Sequence, residues 1–201
     1  APNVHRVTVG DGAFVGVYAP NLYMVVGDEA AAFIDTGYGK DDEVDAQLEL
    51  WGGHGKPHVA AIVLTHRHED HIGGAGRLQA ATGGTIVSSP VEKGPIERAL
   101  PSTPVGRTMA DGECLDLGGA TLEFIHTPGH TLGSMCIYYR QRGVLFAGDT
   151  ILGTGTTVIV PDHGDMGLYI ESLRKLLDYE ARLICPGHGP TIGEPGAKIR
   201  G

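Results

Sequence analysis

Three histidines and an aspartate fall within residues 66–71 of this chain, directly after an apolar block at residues 59–64. Neutral imidazoles and ionised carboxylates are ligands that divalent metals prefer, so the segment predicts a metal-binding loop rather than a His-rich surface loop. The apolar block predicts a buried strand that Thr65 ends, and a helix is expected over residues 75–81. Six residues cannot enclose an ion, so the fold must bring further ligands to this strand end. The candidates in the first loop are His66, His68, Asp70 and His71.

Three later segments repeat one layout, in which a β-like run ends in a turn that carries a ligand-type side chain. Each turn lies beside glycine or proline: glycine lets the backbone approach an ion closely, and proline fixes the loop. A single residue in such a turn is more often an ordinary turn residue than a ligand. Three occurrences of the layout favour one shared metal site. The side chains concerned are His130, Asp149 and His188.

These motifs resemble those of the metallo-β-lactamase superfamily, whose His-x-His-x-Asp-His signature is met at residues 66–71. The resemblance covers almost the whole chain. Within the superfamily, residues 148–157, 164–173 and 186–190 are most similar to the β-lactamase-like protein 2 group. The resemblance implies an α/β fold of the αββα sandwich type, whereas periodicity alone predicts only mixed α and β structure.

The resemblance also implies two adjacent divalent ions, Zn²⁺ in the first instance, with Mn²⁺ and Fe²⁺ as alternatives. Three imidazoles leave an open position for water on a catalytic zinc, and a second ion sharing that water lowers its pKa further. The implied nucleophile is a bridging hydroxide, and Asp70 is the candidate to orient that hydroxide or to relay its proton. The implied ligands are His66, His68 and His130 for the first ion, Asp70, His71 and His188 for the second, and Asp149 between them.

Four further polar residues are candidates for supporting the ligands or contacting a substrate. Asp35 ends an apolar strand, where its carboxylate would fix the tautomer of a ligand imidazole or form an Asx turn. Thr131 and Ser134 either position a substrate or ligand or are ordinary turn hydroxyls. His163 lies in a loop near the cleft, and we expect it to be exposed to solvent.

The chain is predicted to form a single domain over residues 1–201. Helices are expected over residues 41–51 and 166–177, a turn over residues 10–12, and a proline-rich loop with at most a short helix over residues 90–108. There is no apolar run of about 18 residues, so no membrane span is expected. The three cysteines are widely spaced and predicted to pack in the interior, which favours a reducing, cytoplasmic compartment. They are Cys114, Cys136 and Cys185.

The predicted function is hydrolysis of a small carbonyl ester, thioester or lactone. Single-stranded RNA cleavage is an alternative, because two-metal sites suit phosphodiesters. The net charge of −9 and the scattered arrangement of 15 Lys and Arg residues argue against a polyanionic substrate. A mononuclear iron redox enzyme of the persulfide dioxygenase type is another alternative, and a non-catalytic metal-binding module is a third.

Departures from the superfamily pattern restrict the substrate. True β-lactamases generally carry Cys or Ser where Asp149 stands, so at most a weak β-lactamase activity is expected. Members of the similar group continue with further helices after the position of His188, whereas this sequence stops at Gly201. We therefore expect an open cleft that accepts a broad range of esters. The expected partner is a small molecule, and the protein is expected to be a monomer or a homodimer.

Overall fold

Two β-sheets form the centre of the computed structural model, which describes residues 3–7 and 19–201. The predicted turn at residues 10–12 lies outside these ranges. The first sheet contains, side by side, β1 (Val4–Val7), β2 (Leu22–Val26), β3 (Ala31–Ile34), β4 (Val59–Val63), β5 (Thr85–Ser88) and β6 (Arg107–Thr108). The second contains, also side by side, β7 (Cys114–Asp116), β8 (Thr121–His126), β9 (Met135–Tyr139), β10 (Val144–Gly148) and β11 (Leu183–Pro186).

Helices cover the outer face of each sheet, which gives four layers in the order α, β, β, α. The first sheet packs against α1 (Asp41–Gly53), α2 (Glu69–Ile72), α3 (Ala75–Thr82) and α4 (Pro90–Ala99). The second sheet packs against α5 (Met166–Leu176) and α6 (Pro195–Arg200). The predicted αββα sandwich is thus confirmed. In the described part of the chain, each helix is too short or too polar to cross a bilayer.

The central strands are apolar on both faces because both faces are buried. Phe33 packs towards the helices, while its neighbour Ile34 packs between the sheets against side chains of the second sheet such as Phe124 and Ile137. This alternation is the period of two that strand geometry dictates. A strand buried on both sides reads as a continuous apolar run, which is why residues 59–63 were recognisable from sequence.

Strand direction brings the loops that carry polar side chains to common edges. In the first sheet, β3, β4 and β5 are parallel, so their carboxyl ends lie at one edge. In the second, β8 and β10 are each antiparallel to β9, and β11 is parallel to β10, so these three also end together. The loops that leave these strands contain Asp35, His66, His130, Asp149 and His188.

The prediction of a loop with at most a short helix over residues 90–108 underestimates the helix, because the first ten residues form α4. Pro90 stands in the first turn, where the missing N–H has no helical partner to lose. The Ser89 hydroxyl accepts a hydrogen bond from the backbone N–H of Glu92 at 3.1 Å, which caps the helix. Pro95 lies near the middle of the helix. Four prolines in the segment obscured an ordinary N-cap signal.

The cysteine predictions are confirmed in two of three cases. Cys136 and Cys185 are buried, as expected of packing residues. Cys114 is exposed, so its predicted interior position is wrong. The reason is that β7 is an edge strand of the second sheet, where a short alternating run does not guarantee burial.

Candidate metal centre

His66, His68 and His130 form the first group of potential ligands, at the ends of β4 and β8. Nε2 of His66 lies 3.0 Å from Nδ1 of His68 and 3.3 Å from Nε2 of His130. Nδ1 of His68 lies 3.0 Å from Nε2 of His130. A tetrahedral ion bound to nitrogens at about 2.0–2.1 Å would separate them by about 3.3 Å. The three imidazoles therefore fit a single divalent ion.

Asp70, His71 and His188 form the second group. Nε2 of His188 lies 3.2 Å from Oδ2 of Asp70 and 3.3 Å from Nε2 of His71. Asp70 and His71 belong to α2 rather than to a loop, which corrects the prediction that the whole motif is irregular. His68 immediately precedes this single turn, so one short segment directs its side chains to both groups.

Asp149 lies between the two groups and faces each with a different oxygen. Oδ1 is 3.4 Å from Nε2 of both His71 and His188, and Oδ2 is 3.7 Å from Nε2 of His130. Among the described residues, Oδ1 is buried without a hydrogen-bond donor. A Cβ at Gly187 would come within 2.4 Å of Oδ1, so only glycine leaves this space open. An orphaned carboxylate oxygen in a preserved space fits a bound cation.

The two groups differ in charge. Burial, followed by the influence of His130, lowers the pKa of His68 to about 4, and burial also lowers the pKa of His66. Burial opposes protonation of His188 too, but Asp149 and Asp70 outweigh it and raise the pKa of His188 to about 10. The first group thus presents neutral imidazoles, whereas the second holds a proton that an incoming ion must displace.

The second ring nitrogen of each potential histidine ligand also has a partner. Such contacts fix the tautomer and orientation of a metal-binding imidazole. Four of the partners are protein oxygens, which lie 2.7–3.1 Å away. They are Thr65 Oγ1 for His66, Asp35 Oδ2 for His71, the Val158 carbonyl for His130 and the Ala19 carbonyl for His188.

The exception is His68, whose Nε2 lies 3.1 Å from Nε2 of His163. His163 is half-buried. The expectation that it is simply exposed to solvent is therefore wrong. Its neighbours in sequence gave no sign of this contact, because the partner lies 95 residues away along the chain.

Asp35 supports residues of both groups. Its Oδ2 lies 2.8 Å from Nδ1 of His71, and its carboxylate also accepts hydrogen bonds from the backbone N–H and hydroxyl of Thr65. Thr65 in turn contacts His66. Asp35 has a positive φ of 60°, and Gln47 donates to its carbonyl at 3.1 Å. Such left-handed backbone costs a non-glycine residue of order 1 kcal/mol and tends to occur at functional sites.

Thr131 and Ser134 are buried and organise the loop that contains His130. Their hydroxyls lie 2.8 Å apart, and the Thr131 hydroxyl donates to Oε1 of Glu92 at 2.7 Å. Their side chains point into this network, so they act as turn hydroxyls rather than as a surface for substrate.

Glu92 is the residue that sequence reasoning missed. Its buried carboxylate accepts hydrogen bonds from Nε of Arg67 at 2.7 Å and from the backbone N–H of Gly133 at 3.1 Å. Arg67 stands between His66 and His68, so Glu92 joins the loops that carry the first group. The available signal was Ser89 three residues before Glu92, which is typical of a helix start.

The loop that contains His188 is fastened to the beginning of β2. Nδ2 of Asn21 donates to the carbonyls of Pro186 and Gly189 at 3.0 and 2.8 Å. The Tyr23 hydroxyl donates to the Pro186 carbonyl at 2.8 Å. We refer to Asn21 and Tyr23 as the strand clamp.

Residues 15–188 match the family described as the metallo-beta-lactamase superfamily. An atrochrysone carboxyl ACP thioesterase from Aspergillus chevalieri is 31% identical over 198 residues, which cover 98% of this chain and 60% of that protein. A beta-lactamase-like protein 2 homolog from Caenorhabditis elegans is 33% identical over 183 residues, which cover 89% and 59%. The chain thus spans about three fifths of the length of these curated relatives.

The fold is shared with solved structures. A metallo-beta-lactamase family protein from Thermus thermophilus matches with a TM-score of 0.84 and 23% sequence identity. The match covers 100% of this chain and 78% of that protein. At this level of identity the likeness concerns the fold alone.

Proposed function

The chain belongs to the metallo-β-lactamase superfamily, and on that premise we propose that it is a hydrolase that uses two divalent ions to cleave thioesters and related carbonyl esters. The observation that carries the proposal is the position of Asp149, whose two oxygens face two separate groups of histidines. A thioesterase among the relatives supports cleavage of a thioester bond. Zn²⁺ is the proposed metal, because a donor set of imidazoles and carboxylates suits it.

The ligand roles follow the two groups. His66, His68 and His130 would hold one ion, and Asp70, His71 and His188 the other, with Asp149 shared. Divalent ions at such a site activate water and stabilise negative charge that develops on oxygen.

Asp70 is the residue we propose to handle the proton. Burial opposes its ionisation, but the contact with His188 and the nearby His71 lower the pKa of Asp70, so its carboxylate is ionised at neutral pH. Its side chain keeps 19% of its surface exposed, in contrast to the fully buried His71. Asp70 can therefore orient a water molecule and accept its proton at a carboxylate oxygen.

Apolar side chains on the same loops favour an apolar acyl group in the substrate. Tyr38, Leu132 and Val158 are large, yet 44%, 42% and 66% of their surfaces are exposed. Leu132 follows His130 by two residues, and the Val158 carbonyl contacts the His130 ring. Large apolar side chains left exposed on loops that carry potential ligands are candidates for contacting an apolar group. We call these three residues the apolar rim.

The proposal is tested by measuring metal content by mass spectrometry on a sample assayed against esters, thioesters, lactones, a β-lactam and single-stranded RNA. We expect about two zinc ions per chain. We also expect chelator-sensitive hydrolysis that is fastest on thioesters with an apolar acyl group. Replacing Val158 with Ser should raise KM for such substrates more than for acetyl thioesters.

Two outcomes would overturn the proposal. About one iron per chain, without hydrolysis, would place the protein among redox enzymes. Chelator-sensitive cleavage of RNA in the absence of ester hydrolysis would support the proposed metal site. It would show, however, that the bond cleaved is a phosphodiester and not a thioester or ester.

A further inference from the structure

His68 is the potential ligand whose supporting contact differs from the others. In His66, His71, His130 and His188, the second ring nitrogen lies near a hydroxyl, carboxylate or carbonyl oxygen. In His68 it lies near another imidazole, that of His163. A histidine in this place needs an explanation, because a ring nitrogen accepts a hydrogen bond in only one of its neutral tautomers.

The geometry of His68 determines which of its nitrogens would bind metal. Its Nδ1 lies 3.0 Å from Nε2 of both His66 and His130, where the three nitrogens converge. Its Nε2 points away from them, to His163. If Nδ1 binds an ion, the neutral ring must carry its hydrogen on Nε2 and needs an acceptor there.

The loop that carries His163 is held in place independently of this contact. The His163 carbonyl accepts a hydrogen bond from the backbone N–H of Leu132 at 2.9 Å, and the N–H of Asp165 donates to the Gly129 carbonyl at 2.9 Å. Gly164 lies so close that a Cβ there would be 2.6 Å from the Gly129 carbonyl oxygen. His163 is therefore fixed to the His130 loop before its side chain is considered.

We propose that His163 is a positioning residue: its Nε2 accepts the hydrogen bond of His68 Nε2–H and so holds His68 Nδ1 towards His66 and His130. The ring centroids of His68 and His163 lie 5.2 Å apart with the ring planes inclined at 83°, and the two Nε2 atoms face each other at 3.1 Å. The contact completes a set in which each of the five potential histidine ligands has a partner. This inference rests on the proposed metal-dependent function.

The consequence for metal binding is specific. Without an acceptor, His68 can rotate or adopt the other tautomer, in which Nδ1 carries the hydrogen and cannot bind an ion. Loss of a contact of this kind commonly weakens metal affinity about 10- to 100-fold. The second group does not contact His163 in the described residues, so its affinity should not change.

The test is titration of metal-free protein with Co²⁺ against a competing chelator, following the visible absorption of bound Co²⁺. In H163A, we expect one of the two binding steps to weaken about 10- to 100-fold and its absorption bands to shift. In H163Q, the amide oxygen can accept the same hydrogen bond, so affinity should return to within about threefold of the wild type. H58A, which removes an exposed histidine, is the control.

The outcomes separate this inference from the proposed function. Wild-type protein that binds no Co²⁺ would refute the proposed function, and the inference with it. Wild-type binding of two ions with an unchanged H163A titration would refute the inference alone. Equal weakening of both steps, together with a lower melting temperature of the metal-free variant, would also refute it and make His163 a general packing residue.

Discussion

Asp149 shows how much of the proposed chemistry depends on the charge of single residues. Its carboxylate lies within 3.4–3.7 Å of three imidazoles from both groups of ligands. Burial opposes its ionisation, but His71 and His188 outweigh burial and lower the pKa of Asp149. The side chain is thus a buried anion that protein donors do not fully satisfy, as its unpartnered Oδ1 shows among the described residues.

We predict that Asp149→Asn lowers the metal content from about two ions per chain to about one. An amide has nearly the same shape but lacks the charge that would bind two cations. Metal content by mass spectrometry after dialysis measures the effect. Asp162→Asn, at an exposed carboxylate in the following loop, should leave the content unchanged. Two tightly bound ions in Asp149→Asn would contradict the shared-ligand role.

The raised pKa of His188 predicts opposite pH dependence for the metal-free and metal-loaded protein. In the metal-free protein, the proton on His188 stabilises the fold fully below pH 6.5, and this contribution is lost as the pH rises through about 10. An ion must displace that proton, so metal affinity should rise over the same range. The increase in melting temperature on adding Zn²⁺ should therefore grow with pH. A pH-independent increase would show that the proton and the ion do not compete.

Sequence reasoning found the residues that carry a motif, whereas it gave His163 only as a candidate expected to be exposed and missed Glu92. Asp70 and His188 stand in recognisable sequence motifs, and the structure brings both to one site. His163 and Glu92 have no such signal, since their roles depend on partners 95 and 25 residues away. Local sequence records which atoms could bind an ion, but the partner of a buried polar group is decided by tertiary packing.

Helix α4 couples the two loops of the first group. Its N-terminal turn contributes Glu92, which binds Arg67 from one loop and Thr131 from the other. The helix also packs Ile96 into the layer between α4 and the first sheet. A single element thereby links the apolar core to the ends of β4 and β8.

We predict that Glu92→Gln lowers the free energy of unfolding by about 3 kcal/mol. The change leaves the guanidinium of Arg67 without its charged partner in a largely buried setting. Urea denaturation monitored by circular dichroism measures the loss. Glu97→Gln on the same helix affects a more exposed pair with Lys93, and should lower stability far less than Glu92→Gln does. Equal losses in the two variants would contradict a linking role for Glu92.

The elements that sequence reasoning predicted well are those with a clear period. Helix α1 was expected over residues 41–51 and spans Asp41–Gly53, because Val44, Leu48 and Trp51 form one apolar face. Helix α4 is longer than the short helix expected in its segment, because Pro90 occupies the first turn, where proline is tolerated. Helix α2 is a single turn, too short for any period to show.

At the scale of the whole molecule, the layer between the two sheets holds the two sides of the site together. The motif at residues 66–71 follows a strand of the first sheet, whereas the other three potential ligands follow strands of the second. Phe124 on β8 is fully buried in this layer, near Ile34 and Val63 of the facing sheet. Packing here therefore determines the distance between the potential ligands that different sheets contribute.

We predict that Phe124→Ala lowers the free energy of unfolding by about 3–5 kcal/mol, because it removes a large buried side chain and leaves a cavity. Chemical denaturation measures this effect. Met166→Ala, which shortens a side chain that is 60% exposed, should change stability by no more than about 0.5 kcal/mol. If the free energy of unfolding of Phe124→Ala falls by less than about 1 kcal/mol, the two sheets must move together and fill the space that the ring occupied.

The strand clamp has a consequence for the order in which the site can be completed during synthesis. Asn21 is among the first described residues to leave the ribosome, while the carbonyl of Pro186 that it contacts is 165 residues later. All three proposed ligands of the first ion, His66, His68 and His130, precede β11 in the chain. The proposed site for the second ion also needs His188, whose loop follows β11 beside β10 and is held by Asn21 and Tyr23. We therefore expect a chain under synthesis to contain the proposed ligands of one ion before it contains those of the second.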